Sequence, residues 1–174
     1  MHYRIATALV VFVALIGLPA PAAFAAPNPL LAKSCTVGQD TTPAHVMTND
    51  NSAVGIAFPG PGNQAIVTTS PARTSFKCVD PADGYVIHDQ RGHCLRMRDA
   101  SNNFAVMEES SCNDSDNNER FVPFLDLHNS QLEEFLNIGT GDYLGVVCGV
   151  QNGWKIWGVS GASGTCFNWR VNYL

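Results

Sequence analysis

Two nine-residue stretches of the chain echo each other. RGHCLRMRD, Arg91 to Asp99, and TGDYLGVVC, Thr140 to Cys148, both run from a turn glycine through a polar residue to a ring or sulfur side chain and a leucine. Small and apolar residues recur beyond the leucine. A recurring unit of this size constrains the architecture more than any composition. Aligning Val54, Leu95 and Leu144 places Val46, Ile87 and Leu136 eight residues earlier, and Ile56, Met97 and Val146 two residues later. Each copy then carries a second apolar run (AIVTT, FAVME, KIWGV) and ends on an aromatic: Phe76, Phe121 and Trp169. Three units follow, about 45–80, 84–125 and 135–172. One such unit cannot bury its apolar face alone. Three units of four strands close around a shared core and remove the exposed sheet edges.

The local pattern agrees with strands. Short apolar runs alternate with glycine, asparagine and aspartate turns, and no long stretch keeps a helical period. Asn152-Gly153 in QNGWKIW is a hairpin signal, and PGPGNQ, Pro59 to Gln64, is another turn. The low charged fraction (14%) and 15 glycines suit a turn-rich β protein. NSQLEEFL, Asn129 to Leu136, is the one helical candidate, because Ser130 and Glu133 fit a capping box. It reads as a turn or a single helical turn before a strand.

The first 25 residues have the pattern of a secretory signal. Arg4 precedes an apolar run from Ile5 to Leu18, and Ala23 and Ala25 fit the small-residue cleavage rule. A mature chain beginning near Ala26 is expected, with an extended segment over 26–44. A retained membrane anchor would need a span of ~20 residues, and Pro19 and Pro21 interrupt this run. The expected location is extracellular. Six cysteines in an exported chain point to three disulfides among 15 pairings. Cys94 to Cys112 and Cys148 to Cys166 have the same separation, 18 residues. Neighbour pairing then leaves Cys35 with Cys78. Each shorter bridge closes a loop worth about 3 kcal/mol in the chain-entropy model. No C-x-x-C occurs, so zinc is not expected. The net charge is −5, without a lysine/arginine cluster. Phosphate backbones need dense positive charge, so nucleic acid is not an expected partner.

The second unit, YVIHDQRGHCLRMRDASNNFAVMEESSCNDSDNNERF, carries GHCL, a later cysteine and a terminal ERF. The third carries FLNIGTGDYLGV and NWRV; the first matches through spacing and SFK. These features resemble the ricin-B-type lectin repeat, whose pattern is Gly-x-Cys-Leu-Asp-Val, a later cysteine, then Gln-x-Trp. The resemblance covers nearly the whole chain after residue 25. It implies an all-β fold, a β-trefoil of three four-stranded repeats. In that family a carboxylate after Cys-Leu accepts from two sugar hydroxyls, and an aromatic ring stacks on the sugar. Here the carboxylate position holds Gly55, Arg96 and Gly145, and the Gln position Thr74, Glu119 and Phe167. The fold resemblance therefore comes without the family's sugar-binding residues.

Other chemistry is weakly signalled. CNDSDNNE, Cys112 to Glu119, is rich in oxygen ligands but lacks the calcium-loop glycine and distant glutamate, so it reads as a solvated turn. His88 and His93 are placed to face one another across a turn, but no third metal ligand is evident; His45 and His128 offer no better geometry. Glu108-Glu109 and Glu133-Glu134 are adjacent, and neighbours on a strand point to opposite faces, so neither pair makes a two-carboxylate site. No G-x-S-x-G or H-E-x-x-H appears. No catalysis, cofactor or metal is expected. Trp154 and Trp157 fall on opposite faces if WKIWGV is a strand, one in the core and one available beside Asn152 to stack on a sugar or anchor a protein. The expected function is an adaptor or accessory module binding a protein in a secreted assembly, such as a toxin or exoenzyme complex. The alternative is a lectin with a rebuilt site using Asp99, Asn103, Glu119 or a tryptophan. A trefoil protease inhibitor ranks behind both. Mass mapping of the unreduced chain should return Cys35–Cys78, and a Cys94–Cys148 bridge would contradict the repeat alignment.

Overall fold

The computed structural model describes residues 36–80, 84–98, 104–126, 129–160 and 165–174, with the backbone alone for 125–126 and 129–131. The strands of the first repeat are β1 (Ala44–Thr48), β2 (Gly55–Ala57), β3 (Ile66–Thr68) and β4 (Thr74–Asp80). The second holds β5 (Gly84–Asp89), β6 (Cys94–Met97), β7 (Val106–Glu109) and β8 (Arg120–Asp126). A single 3-10 turn, Asn117–Glu119, precedes β8. The third holds β9 (Asn129–Asn137), β10 (Tyr143–Val147), β11 (Trp157–Val159), the short β12 (Thr165–Cys166) and β13 (Asn168–Tyr173).

Six strands pair in a closed antiparallel ring, β1-β4-β5-β8-β9-β13 and back to β1. The remaining pairs β2–β3, β6–β7 and β10–β11 are hairpins that cap one end of this barrel. The molecule is a β-trefoil. Its pseudo-threefold axis is marked by a ring of backbone hydrogen bonds. Ala65 N donates to Val106 O (2.8 Å), Val106 N to Ile156 O (3.3 Å) and Ile156 N to Ala65 O (2.9 Å). All three side chains are buried. Each hairpin thereby satisfies in the next one the buried donor that a lone hairpin would leave orphaned.

Strand alternation supplies the core. β1 buries Ala44, Val46 and Thr48 and turns His45 and Met47 outward. Val46, Ile87 and Phe135 form one layer at the barrel's centre. Phe76 lies against Phe135 with ring centroids 5.6 Å apart and meets Tyr85 edge-on at 6.5 Å. Each first strand then ends on a buried polar residue that closes the following turn. Thr48 Oγ1 accepts from Asn51 N (3.1 Å), Asp89 Oδ1 from Arg91 N (2.8 Å), and Asn137 Oδ1 from Thr140 N (3.0 Å). These side chains mimic backbone acceptors in the tight turns.

The register corrects four readings. NSQLEEFL is strand, not a helical turn, because β9 must close the ring between β8 and β13; the local capping signal yields to those two ladders. Phe135, not Leu136, takes the third core place. The first repeat is also offset by two residues. Gly55, Cys94 and Tyr143 are equivalent, facing Met47, His88 and Leu136 on the preceding strand. Ile56 therefore matches Leu95 and Leu144, and Val54 does not. At the end of each repeat, Thr74, Phe121 and Trp169 are equivalent, since they face Asp89, Asn137 and Thr48. Thr74 stands where the terminal aromatic was expected, its Oγ1 donating to Ala44 O (3.0 Å). Phe76 lies one pleat further on.

Cys94–Cys112 and Cys148–Cys166 form, with Cα atoms 5.4 and 5.1 Å apart. Their equal separation hides different places in the repeat: Cys94 opens β6, whereas Cys148 follows β10. Cys35 lies outside the described residues. Among the described residues no helix is long and apolar enough to cross a membrane.

One buried group opposes the fold. Glu133 occupies the layer that Ala44 and Tyr85 fill in the other repeats and is 6% exposed, and its Oε2 has no hydrogen-bond partner among the described residues. Burial pushes its carboxyl up to about 7. Burial, then the Glu133 charge, likewise raises the Tyr85 phenol. Below pH ~4.5 Glu133 is protonated folded or unfolded. Above it the unfolded chain ionises first, so stability falls as pH rises, and the loss is complete above about 7. The full penalty is about 3 kcal/mol. Glu133→Met should therefore be more stable than the parent at pH 8, with the gap shrinking toward pH 4.5; urea melts at both pH values read it. A gap independent of pH would refute the assignment.

Candidate functional site

The positions that read a sugar in ricin-B-type repeats lie on the second strand of each repeat, which opens its hairpin. The register places Ala57, Arg96 and Gly145 there, opposite Ile66, Met107 and Trp157. Gly55 is thus replaced by Ala57 in the first repeat. Arg96 Nε bonds Asp116 Oδ2 at 2.9 Å, and Asp116 Oδ1 accepts from Asn118 N (2.9 Å) at the mouth of the 3-10 turn. The Asp116 hydrogen bond raises Arg96. Burial pushes Asp116 up, but the bonds from Arg96 and Asn118 and the Arg96 charge outweigh it, and its carboxyl sits below the usual range. Gly145 has no room for a side chain: a Cβ there would lie 2.5 Å from Val159 Cγ2 and 3.1 Å from the Cys166 carbonyl oxygen. A carboxylate is absent from all three positions, and in the third the Val159 side chain packs where one would begin.

The Gln position holds Ala72, Glu119 and Phe167, two residues before Thr74, Phe121 and Trp169. Thr74 is thereby moved out of it. Glu119 is 4% exposed and its Oε2 accepts from Asn113 N (2.6 Å), with burial raising its carboxyl. It braces the turn from inside and does not face solvent. Asp99 and Asn103 lie outside the described residues, as does His128. Asn152 and Trp154 share one exposed run, 151–155. Of the tryptophans expected to divide between core and surface, neither is core. Ile156 takes the axial place, Trp157 is half-buried opposite Gly145, and Trp154 is 37% exposed. WKIWGV is not one continuous strand: Lys155 makes only an isolated bridge to Ile66, and β11 begins at Trp157.

The second repeat holds a buried charge cluster that the chain's pattern understates. Glu108 is 0% exposed and faces Leu95, as Val67 faces Ile56 and Gly158 faces Leu144. It is an acid at a position that is apolar or vacant elsewhere. Its Oε1 is 2.6 Å from His93 Nδ1 and 3.2 Å from an Arg91 terminal nitrogen, and its Oε2 accepts from Gly60 N (2.5 Å). Arg91 Nε also donates to Asp89 Oδ2 (2.6 Å), and its terminal nitrogen to Phe58 O (3.0 Å). Burial would raise Asp89, yet the Arg91 and His93 hydrogen bonds hold it below the usual carboxylate range. The signal in the sequence was alternation: in FAVMEE, Glu108 shares the inward face of Val106. His93 and His88 do not face each other; His88 Nε2 is 2.8 Å from Asp40 Oδ1.

Asp89, His93 and Glu108 each offer a ligand atom within 4.8 Å of the others. The Arg91 guanidinium already bonds both carboxylates and supplies the positive charge a metal would bring. The cluster's geometry serves to tie the Phe58–Gly62 loop of the first repeat to the second hairpin, since Gly62 N also donates to Glu108 O (2.7 Å). Truncating one member strands the others. Glu108→Val, which copies the first repeat, should lower stability by at least about 3 kcal/mol despite its apolar precedent; a thermal melt checks this, and an unchanged midpoint would refute it.

No family model matches the chain, and no curated protein matches its sequence. Solved structures do. One is the crystal structure of a designed threefold-symmetric protein, ThreeFoil, at TM-score 0.62 and 17% identity, covering 76% of this chain and 99% of that one. At that identity the likeness shows the fold alone.

Proposed function

We propose that this chain is an exported, non-catalytic recognition module of the lectin-like trefoil type, acting as an accessory or adaptor subunit that binds a protein of an extracellular assembly. One observation carries the reading. The exposed Trp154 sits on a loop fastened to β3: Trp154 O accepts from Val67 N (2.8 Å), Gly153 N donates to Val67 O (2.8 Å), and Asn152 Oδ1 accepts from Thr69 N (3.1 Å). A large ring presented on a rigid loop loses little entropy on docking, and such tryptophans dominate protein interfaces. The vacated carboxylate positions support the same reading, because the family's usual sugar contact has no counterpart at Ala57, Arg96 or Gly145. The two disulfides fit an extracellular setting.

A rebuilt sugar site on Glu119 is disfavoured by the burial of that side chain. The adaptor reading is tested by affinity capture from culture supernatant with the disulfide-intact chain. One stoichiometric protein is expected, and Trp154→Ala should weaken its capture by about tenfold or more without moving the melting temperature. Capture of nothing, or of a protein indifferent to Trp154→Ala, would sink the reading.

A further inference from the structure

Where one repeat hands over to the next, its fourth strand begins beside the turn that follows the next repeat's first strand. The three such junctions are equivalent in the fold and different in chemistry. Between the first and second repeats, Ala72, Arg73, Asp89, Gln90 and Arg91 line a cleft of about 270 Å³. Between the second and third, the corresponding turn is packed against the second repeat: a Cβ on Gly139 would lie 1.9 Å from Asn118 Oδ1. Between the third and first, Asn49, Asp50, Thr165, Cys166, Phe167 and Asn168 line a cleft of about 280 Å³. Gln90 and Arg91 stand in the second repeat roughly where Asn49 and Asp50 stand in the first, and Ala72 and Arg73 where Phe167 and Asn168 stand.

We propose that the third junction binds one saccharide ring through Asp50, Asn49 and Phe167. Asp50 is oriented for the task. Its Oδ2 accepts from Gly149 N (2.5 Å) and Val150 N (3.0 Å). Those amides belong to the loop closed by Cys148–Cys166. Among the described residues Oδ1 carries no hydrogen bond, and Asp50 is exposed where it lines the cleft, so the site holds an anionic acceptor with a free oxygen. The Asn49 backbone is pinned by its N–H to Asn168 O (3.1 Å), while its side-chain amide is without a partner among the described residues. Phe167 is half-buried and held on Tyr143, ring centroids 5.1 Å apart. A carboxylate oxygen takes hydroxyl protons, an amide both gives and takes, and a ring packs on the C–H face of a sugar. An ammonium ligand would use the carboxylate and the ring but waste the amide donors. The cleft is at the small end for ligand pockets, which suits a single ring. This contact is separate from the Trp154 surface, and a glycosylated partner would engage both.

The test is a titration of the full disulfide-bonded chain with a panel of neutral monosaccharides, followed by backbone NMR. At least one sugar should bind with a dissociation constant on the order of 1 mM, shifting the amides of Asn49, Asp50 and Phe167. Asp50→Asn keeps an acceptor for Gly149 and Val150 but removes the charge, and should weaken binding about tenfold or more. Phe167→Leu keeps bulk without a ring and should do likewise. Arg73→Ala, in the first junction, and Trp154→Ala should leave sugar binding unchanged. The proposal is overturned if no sugar binds up to about 50 mM or if the shifts fall elsewhere. It is equally overturned if both cleft variants bind as the parent does, or if methylammonium displaces every sugar.

Discussion

The axial ring of Ala65, Val106 and Ile156 is the constraint on which the rest depends. Each hairpin donates to one neighbour and accepts from the other, so no hairpin is satisfied until all three are present. That reciprocity forces each repeat to be a partial structure. Below the cap, the six-stranded ring closes without an open edge, and the core layers inherit the threefold arrangement. Function then has to live where the repeats differ, because the shared frame is committed to packing.

Two buried acids mark such differences, and their surroundings separate them. Glu108 enters the cap surrounded by donors: His93, Arg91 and the Gly60 amide. Its desolvation is met by charge-assisted bonds, and it links two repeats. Glu133 enters the barrel with one oxygen unpartnered among the described residues, and burial pushes its carboxyl toward neutrality. The same residue type thus braces one layer and weakens another. The junction clefts diverge in the same way. Equivalent turns present Asp50 with Phe167, Arg91 with Ala72, or a glycine packed against Asn118.

Much of the fold was legible. The second and third repeats aligned on Leu95 and Leu144, the neighbouring cysteines paired as their spacing suggested, and the glycine turns separated the strands. The first repeat was misread by two residues because a two-residue slip leaves the inward and outward faces of a strand unchanged. Val54 and Ile56 are both buried, so hydropathy cannot choose between them. The choice is made by the length of each turn: from Val46 to Ile56, Ile87 to Leu95 and Phe135 to Leu144 the spacing is ten, eight and nine residues. The candidate sites were less legible. Asn152 and Trp154 stand on the surface as their turn suggested, but Glu119 faces inward and the Asp89–Arg91–His93–Glu108 cluster was not anticipated.

By itself the sequence determined the period, the strand-and-turn alphabet and the two neighbouring disulfides, because these follow from local spacing and side-chain size. It also determined that no carboxylate follows Leu95 or Leu144. Tertiary structure alone decided the register of the first repeat, the conversion of NSQLEEFL into β9 and the burial of Glu108 and Glu133. It alone brought Asp50 to Phe167 across more than a hundred residues. Those outcomes depend on which strands meet when the ring closes, and closure satisfies hydrogen bonds that no local segment contains.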